Sequence, residues 1–350
     1  MKKSAVVIFP GRGTYGKEEL RYLARHHSDK VEFITGVDKW REAQGRVKIT
    51  SLDNAKSYAT SKHASSINAS ALIYTCALAD FAAINRDKFD ITAVCGNSLG
   101  WYLTLAAANA LNPANAIRLV DTMGALMEEQ GVGGQLIYPF VDEHWRESRA
   151  NLKAISEALH SGRTEGIAFL SIRLGGMAVL AGDDAGMAAM EKSLPQTQGR
   201  YPFRLARHSA FHTPLLSHVS DEAFTELGGD IFCAPQIPMI DGRGAIWSPH
   251  ATDVDALYQY TLGQQIIETY DFSKSVEIAI KEFAPDCIIL AGPGSTLGAP
   301  IAQELIRHNW LGLSSKAEFA ARQKDDPFLL AMGRDDQRKH VIEEYSSRKP

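Results

Sequence analysis

The chain alternates between short apolar runs and longer stretches in which apolar residues recur at helical spacing. Short runs rich in β-branched residues are typical of buried strands, and the 3.6-residue period indicates helices. The predicted strands of the main body are residues 5–9, 91–95, 238–240 and 287–291. The predicted helices are residues 17–27, 53–62, 67–84, 113–129, 215–227, 258–283 and 296–307, with Asn112 as the N-cap of the fourth. This alternation predicts an open parallel α/β sheet that binds ligands where its strands end, after Phe9, Cys95 and Ala291.

Between Gly131 and His208 the pattern changes. It predicts, in order, a strand (135–141), a helix (142–160), two strands (167–172 and 177–181), a helix (184–194) and a strand (201–205). The order βαββαβ is that of the ferredoxin-like split arrangement. The fold class predicted is therefore α/β, with a hydrolase-like parallel-sheet core and an inserted ferredoxin-like subdomain. The predicted domains are a discontinuous core (1–132 and 206–311), the insert (133–205) and a helical C-terminal extension (312–350).

Composition narrows the class of protein. The 350 residues are 45% hydrophobic and 22% charged, as is usual for globular proteins, and the net charge of −4 gives no reason to expect a nucleic-acid partner. The four cysteines have no metal-ligand or redox-motif spacing, which predicts reduced cysteines in a cytoplasmic protein and no metal site. The first apolar stretch, residues 5–9, is too short for a signal peptide, and no run is long enough to predict a membrane span.

The segment Gly96-Asn97-Ser98-Leu99-Gly100 stands between a predicted strand and a helix rich in Leu and Ala. In that context Gly-x-Ser-x-Gly is typical of a nucleophile elbow, in which the serine hydroxyl is exposed on a sharp turn. The unpaired N–H groups at the start of the helix, beginning at Leu99, would also hold an oxyanion. The alternative is an ordinary strand-to-helix turn that contains a serine.

Gly11, Gly13 and Gly16 match Gly-x-Gly-x-x-Gly after the first strand. Dinucleotide binding is the weaker interpretation of this loop, because Pro10 precedes the first glycine and the next helix opens with polar residues. The nearest candidate for a strand ending in an acid, residues 31–38, fits that role poorly.

Five stretches, in order, resemble the malonyl-CoA:acyl-carrier-protein transacylase family. The family's Phe-Pro-Gly-Gln-Gly, Gly-His-Ser-Leu-Gly, Ala-Phe-His-Ser-Pro, Trp-Thr-Lys-Ser-Val and Gly-Pro-Gly-x-x-Leu are similar to residues 9–13, 96–100, 210–214, 272–276 and 292–297. The order and spacing agree from about residue 5 to 305. The resemblance implies an α/β core with a ferredoxin-like insert. It also implies transfer of an acyl group from coenzyme A to an acyl-carrier-protein thiol, in fatty-acid or polyketide synthesis.

The resemblance implies that Ser98 is the acyl-forming nucleophile and His212 its general base. The chemistry agrees, because a serine hydroxyl is a poor nucleophile until an imidazole takes its proton. The predicted substrate is an acyl-CoA thioester and the predicted partner an acyl carrier protein, with no cofactor.

Four departures from the family pattern bear on the acyl group. Arg12 replaces the glutamine beside the oxyanion hole, and Asn97 replaces the histidine before the nucleophile. Arg173 falls at an active-site asparagine, with Met177 at the glutamine of the same stretch. Met123 falls at the arginine that grips the malonyl carboxylate, and methionine cannot pair with a carboxylate.

Both arginines among these departures are candidates for a relocated carboxylate clamp. Arg173 is on the predicted insert, and Arg12 is beside the oxyanion hole. The alternative is that Arg12 and Arg173 both face solvent or coenzyme A phosphates and that the acyl group is neutral. Nearby Arg118 matches a different family arginine.

Asp271 has two possible roles, as the carboxylate of a Ser-His-Asp triad or as the N-cap of the helix beginning at Phe272. The basic residues Arg200, Arg204, Arg207 and His208 form either a solvated strand end or a binding site for coenzyme A phosphates or an acidic carrier protein.

Competing functions are a thioester hydrolase on the same scaffold, an α/β-hydrolase esterase, and a non-catalytic binding subunit.

Overall fold

The fold is built on two β-sheets in a computed structural model that describes residues 1–343. The strands are β1 (Lys3–Phe9), β2 (Phe89–Gly96), β3 (Gly134–Pro139), β4 (Ala168–Leu174), β5 (Met177–Gly182), β6 (Phe203–Arg204), β7 (Met239–Ile240), β8 (Ile246–Trp247), β9 (Tyr270–Asp271), β10 (Cys287–Leu290) and β11 (Leu329–Ala331). The larger sheet has the order β11-β10-β1-β2-β7-β8, and all neighbours pair in parallel except β7 and β8. The predicted α/β class is confirmed.

The centre of this sheet is apolar on both faces, because helices cover both. Val6, Val7 and Ile8 in β1 are fully buried. In the register of the sheet, Ile8 lies beside Cys95 of β2 and Leu290 of β10. The loops after these three strands therefore start at one edge, as the alternation of strands and helices predicts.

The helices are α1 (Tyr22–His26), α2 (Val31–Ala43), α3 (Ile49–Asp53), α4 (Thr60–His63), α5 (Ser66–Ala83), α6 (Gly100–Ala107), α7 (Pro113–Gln130), α8 (Arg149–Glu165), α9 (Asp184–Ser193), α10 (Ser217–Glu226), α11 (Val254–Gln259), α12 (Gln265–Ile267), α13 (Phe272–Glu282), α14 (Gly298–Arg307), α15 (Lys316–Asp325) and α16 (Asp335–Ile342). The predicted cap of α7 is confirmed, because the Asn112 side chain accepts the N–H of Asn115 at 2.9 Å. In the described part of the chain, α5 alone is long and apolar enough to cross a membrane, and 72% of it is buried inside the protein, as in a core helix.

The smaller sheet has the order β6-β3-β5-β4-β9. Its first four strands and the helices α8 and α9 follow the predicted order βαββαβ, with neighbouring strands antiparallel. The fifth strand comes from the main body: β9 pairs in parallel with β4, with Tyr270 beside Ile172. The domain boundaries at 133 and 205 stay a prediction.

Three predicted helices start later or are shorter than the sequence pattern indicates. The helix expected over 17–27 begins only at Tyr22, where the Asp53 carboxylate accepts the N–H of Leu23 at 3.1 Å. The helix expected over 53–62 is absent between α3 and α4, and the one over 142–160 starts at Arg149, after a Ser148 N-cap. Residues 31–38, the weak strand candidate, lie in α2.

Two further predictions for the second half are wrong in part. The helical stretch 258–283 is interrupted, because residues 270–271 leave the helix to form β9. The C-terminal extension is not purely helical, since β11 joins the larger sheet beside β10. It is also tied to the core, because Arg338 forms a buried ion pair of 2.6 Å with Asp80. The last residues of the predicted extension, 344–350, lie outside the described part of the chain.

Candidate active site

Ser98 lies on a sharp turn between β2 and α6, and its φ of 56° is in the left-handed region. The two glycines of the motif allow the strand and the helix to cross. A Cβ on Gly96 would collide with the main chain of Gly100, and a Cβ on Gly100 would lie 2.5 Å from the carbonyl oxygen of Phe9. This is the geometry that the nucleophile-elbow interpretation predicts.

The structure brings His212 to Ser98 from a loop more than a hundred residues further along the chain. Ser98 Oγ and His212 Nε2 are 2.7 Å apart. The other ring nitrogen, Nδ1, lies 2.7 Å from the carbonyl oxygen of Gln265. Because a carbonyl oxygen only accepts, Nδ1 carries the proton, and Nε2 is left with a lone pair directed at the serine hydroxyl.

Gln265 is the site residue that the sequence analysis missed. Helix α12 ends at Ile267, so the Gln265 carbonyl is among those with no partner inside the helix and is free for His212. Its side chain reinforces the site, donating to the carbonyl of Ser98 at 3.2 Å and accepting from the Tyr102 hydroxyl at 3.0 Å. A main-chain acceptor leaves no residue-type signal in a sequence.

Burial sets the protonation state of the site. The His212 side chain is almost completely buried, and this desolvation lowers its pKa to about 4, although the bond to Gln265 opposes the shift. The imidazole is therefore neutral, and able to accept a proton, throughout the neutral range.

The N-terminus of α6 points at the same serine. Leu99 is its N-cap, and the first N–H groups of a helix have no intrahelical acceptor. They are available to an oxyanion formed at Ser98. Gly11, of the glycine-rich loop, packs against this turn, because a Cβ there would lie 2.9 Å from the Asn97 side chain. These close contacts with the elbow account for that glycine.

Two cavities meet at Ser98. The smaller, the inner pocket, has a volume of about 50 Å³ and is lined by Ser98, Leu99, Met123, Met127, Phe211 and Arg12. The larger, the outer cavity, has a volume of about 730 Å³ and lies between the two sheets. Ser98 thus stands between a narrow, mostly apolar pocket and a space large enough for an extended molecule.

Arg12 crosses the boundary between the two cavities and lines both. It donates from Nη1 to Ser66 Oγ at 2.8 Å and from Nη2 to the carbonyl oxygens of Ala64 and Arg207, each at 2.9 Å. Met123 is buried in the inner pocket, as its alignment with the family's arginine predicts.

Arg173 does not reach the site, so the structure contradicts its role as a relocated clamp. Side chains alternate along a strand, and its neighbours Ile172 and Leu174 line the outer cavity. Arg173 therefore lies on the other face of β4, where its side chain is 59% exposed and 3.5 Å from Asp271. Arg118 is also outside both cavities, where it donates to the carbonyl of Glu226.

Asp271 caps α13 and does not contact His212. Its carboxylate accepts the N–H of Lys274 at 2.8 Å, which confirms the N-cap alternative. The triad alternative is wrong, because the carbonyl of Gln265 occupies the position next to His212 Nδ1 that the carboxylate would need.

The basic run does not form one surface. Arg204 lies within 4.0 Å of two acids, and Arg207 lies 4.0 Å from Glu128. His208 is partly buried, with Nδ1 2.9 Å from Gln135 Oε1, and desolvation together with the charge of Arg12 lowers its pKa well below the usual value. Arg200 alone of the three arginines lines the outer cavity.

A buried, neutral histidine hydrogen-bonded to an elbow serine, with helix N–H groups beside it, is the arrangement of proteins that form a seryl acyl-enzyme. Among the described residues no group of three or more His, Cys, Asp or Glu side chains is placed to hold a metal ion. No family model matches the chain.

Proteins of similar sequence include acyltransferases and polyketide synthases. A type I phenolphthiocerol synthesis polyketide synthase of Mycobacterium marinum is 27% identical over 236 residues, which are 67% of this chain and 10% of that protein. The malonyl-CoA:acyl-carrier-protein transacylase of Salmonella typhimurium is 25% identical over 208 residues, 58% of this chain and 63% of that protein. The chain thus spans less than two thirds of the length of these curated relatives.

Among solved structures, a malonyl-CoA:acyl-carrier-protein transacylase from Xanthomonas oryzae superimposes with a TM-score of 0.74 at 19% identity, covering 97% of this chain and 98% of that one. At that identity the likeness shows the fold. Together, the sequence relatives and the fold confirm the predicted resemblance to the malonyl-CoA:acyl-carrier-protein transacylase family.

Proposed function

We propose that the protein transfers an acyl group from coenzyme A to the thiol of an acyl carrier protein through an ester on Ser98. The observation that carries the proposal is the 2.7 Å contact between Ser98 Oγ and the neutral Nε2 of His212, at the junction of two cavities. The relative in Salmonella typhimurium is named for acyl transfer to the same kind of carrier.

In the first half-reaction Ser98 Oγ attacks the thioester carbonyl carbon while His212 Nε2 takes the hydroxyl proton. Negative charge on the carbonyl oxygen is held by the N–H groups at the start of α6. The C–S bond then breaks, the thiolate takes the proton from the imidazolium, and the thiol of coenzyme A leaves. In the second half-reaction a carrier-protein thiol attacks the seryl ester by the same steps in reverse.

The two cavities match the two parts of such a substrate. The inner pocket receives the acyl group, and the outer cavity, at about 730 Å³, receives the long thiol arm that both donors and acceptors share. Arg200 and Lys316 lie on the wall of the outer cavity and suit the phosphates at the far end of the arm.

The group that orients His212 also distinguishes the proposal from the competing esterase. An esterase of the α/β-hydrolase class orients its histidine with a carboxylate, whereas His212 is held by the main chain of Gln265. This contact favours the acyl-transfer proposal. We also propose a cytoplasmic location, where the acyl-CoA donor is found and where the free cysteines Cys76, Cys95, Cys233 and Cys287 stay reduced.

The test is incubation of the protein with a panel of acyl-CoA thioesters, with mass measured on the intact chain. We expect an added acyl mass that disappears when a carrier protein bearing a free thiol is added and that reappears on the carrier. Ser98→Ala is expected to give no added mass, whereas the matched control Ser156→Ala, on an exposed position of α8, labels normally.

Two other results would contradict the proposal. Release of free acid at the same rate with and without carrier would show a thioester hydrolase. Absence of added mass with every thioester would show a binding subunit.

A further inference from the structure

We infer that Arg12, and not a residue of helix α7, is the group that binds a free carboxylate at the distal end of the acyl group. This inference rests on the proposed function and names a specificity-determining residue for it. It assigns the selectivity for charge to a loop residue on the edge of the parallel sheet rather than to helix α7, where Met123 stands.

The position of Arg12 is the first argument. Arg12 and Ser98 line the same inner pocket, whose volume is only about 50 Å³. An acyl group attached to Ser98 Oγ and entering this pocket therefore comes close to the guanidinium. Most other groups on its wall, including Met123, Met127 and Phe211, offer no charge to a carboxylate.

The charge of Arg12 is the second argument. Its guanidinium is held by a hydroxyl and two carbonyl oxygens, all of them neutral. Within residues 1–343 no carboxylate lies within 4.0 Å of it. The carboxylate that acts on it, Glu128, accepts the N–H of Ser66 instead. A partly buried cation without an ion-pair partner is costly, and an anion arriving in the pocket would offset that cost.

One hydrogen-bond donor of Arg12 is unused. Arg12 Nε is buried and has no hydrogen-bond acceptor in the described part of the chain. The neighbouring contacts hold the guanidinium in place, and Phe211 lies with its ring centre 5.2 Å from Cζ. Burial lowers the pKa of Arg12 to about 10, so the side chain still carries its charge at neutral pH. A fixed, charged side chain that lines the pocket and keeps an unsatisfied N–H donor is suited to an anionic ligand.

The test compares acylation of Ser98 by malonyl-CoA and by acetoacetyl-CoA, whose acyl group has nearly the same shape but ends in a methyl ketone instead of a carboxylate. We expect the wild-type protein to prefer malonyl-CoA. Arg12→Gln, which introduces the residue of the resembled family, is expected to lower the malonyl-to-acetoacetyl ratio of second-order acylation rates by roughly 10- to 100-fold. Arg12→Lys keeps the charge and is expected to retain part of the preference.

Arg173→Gln is the matched control, since it removes the same charge from a side chain outside both cavities and is expected to leave the ratio unchanged. Thermal unfolding of each variant checks that it folds, and the wild-type ratio tests the inference even if an Arg12 variant does not. Equal acylation by the two thioesters, or an equal loss of both in Arg12→Gln, would overturn the role of Arg12 and leave the proposed function standing. Absence of acylation by any thioester would instead overturn the proposed function.

Discussion

The pH dependence of acyl-enzyme formation tests the environment of His212 directly. The reaction needs the neutral imidazole as base, so its rate follows the neutral fraction of His212. Burial lowers the pKa of this residue to about 4, whereas an exposed histidine titrates near 6.5. The acid limb of the rate profile is therefore expected near pH 4 and not near pH 6.5.

The difference is largest between these two values. At pH 5.5 a group with a pKa near 4 is about 97% neutral, and one with a pKa near 6.5 is about 9% neutral. We therefore expect acylation at pH 5.5 to proceed at nearly its rate at pH 8. A solvated histidine would give a decrease of about tenfold over the same interval.

The assay is a single-turnover measurement of the mass added to Ser98, with quenching at fixed times. His212→Ala, expected to react about 10²- to 10⁴-fold more slowly, gives the background rate at each pH. Circular dichroism at each pH separates titration of the base from unfolding. A half-maximal rate close to pH 6.5 in folded protein would refute the assignment of a buried, neutral His212.

Further predictions concern the elbow, the cap and stability. Ser98→Ala is expected to abolish acyl-enzyme formation without changing the unfolding temperature, and label retained on the variant would place the nucleophile elsewhere. Asp271→Asn is expected to keep normal acylation because asparagine also caps helices, and Asp271→Ala to lose about 1 kcal/mol of unfolding free energy; a large loss of turnover in Asp271→Asn would restore the triad. Gly100→Ala is expected to cost about 1–3 kcal/mol in denaturant unfolding, since its Cβ would lie 2.5 Å from the Phe9 carbonyl, and unchanged stability would contradict that packing. His212 is protonated near pH 6.5 in the unfolded chain and only near pH 4 in the folded chain. The free energy of unfolding is therefore expected to fall as pH decreases through this window, by up to about 3 kcal/mol from this residue. A free energy of unfolding that does not change from pH 7 to 5 would argue against the lowered pKa.

The parts of the protein that depend on local chemistry can be predicted from its residues alone. Gly96 and Gly100 around Ser98 are required by a crossing too close for a Cβ, so the elbow can be identified from residue types alone. The apolar runs of β1 and β10 indicated the parallel sheet, because strands buried on both faces are apolar throughout. The alternation of strand and helix patterns between residues 134 and 204 predicted four of the five strands of the second sheet, and β9 was not predicted.

Contacts between residues that are far apart in the chain depend on the folded structure and not on residue types. The carbonyl that holds His212 belongs to the main chain of Gln265, and since every residue has a carbonyl, no residue type marks it. The face of β4 that carries Arg173 depends on register, and a shift of one residue would reverse it. Similarly, β11 became a strand because the edge of β10 was available to it, although its flanking segments are helical. Arg12 became a candidate ligand-binding residue because folding placed it, partly buried, among neutral acceptors and with no carboxylate partner among residues 1–343.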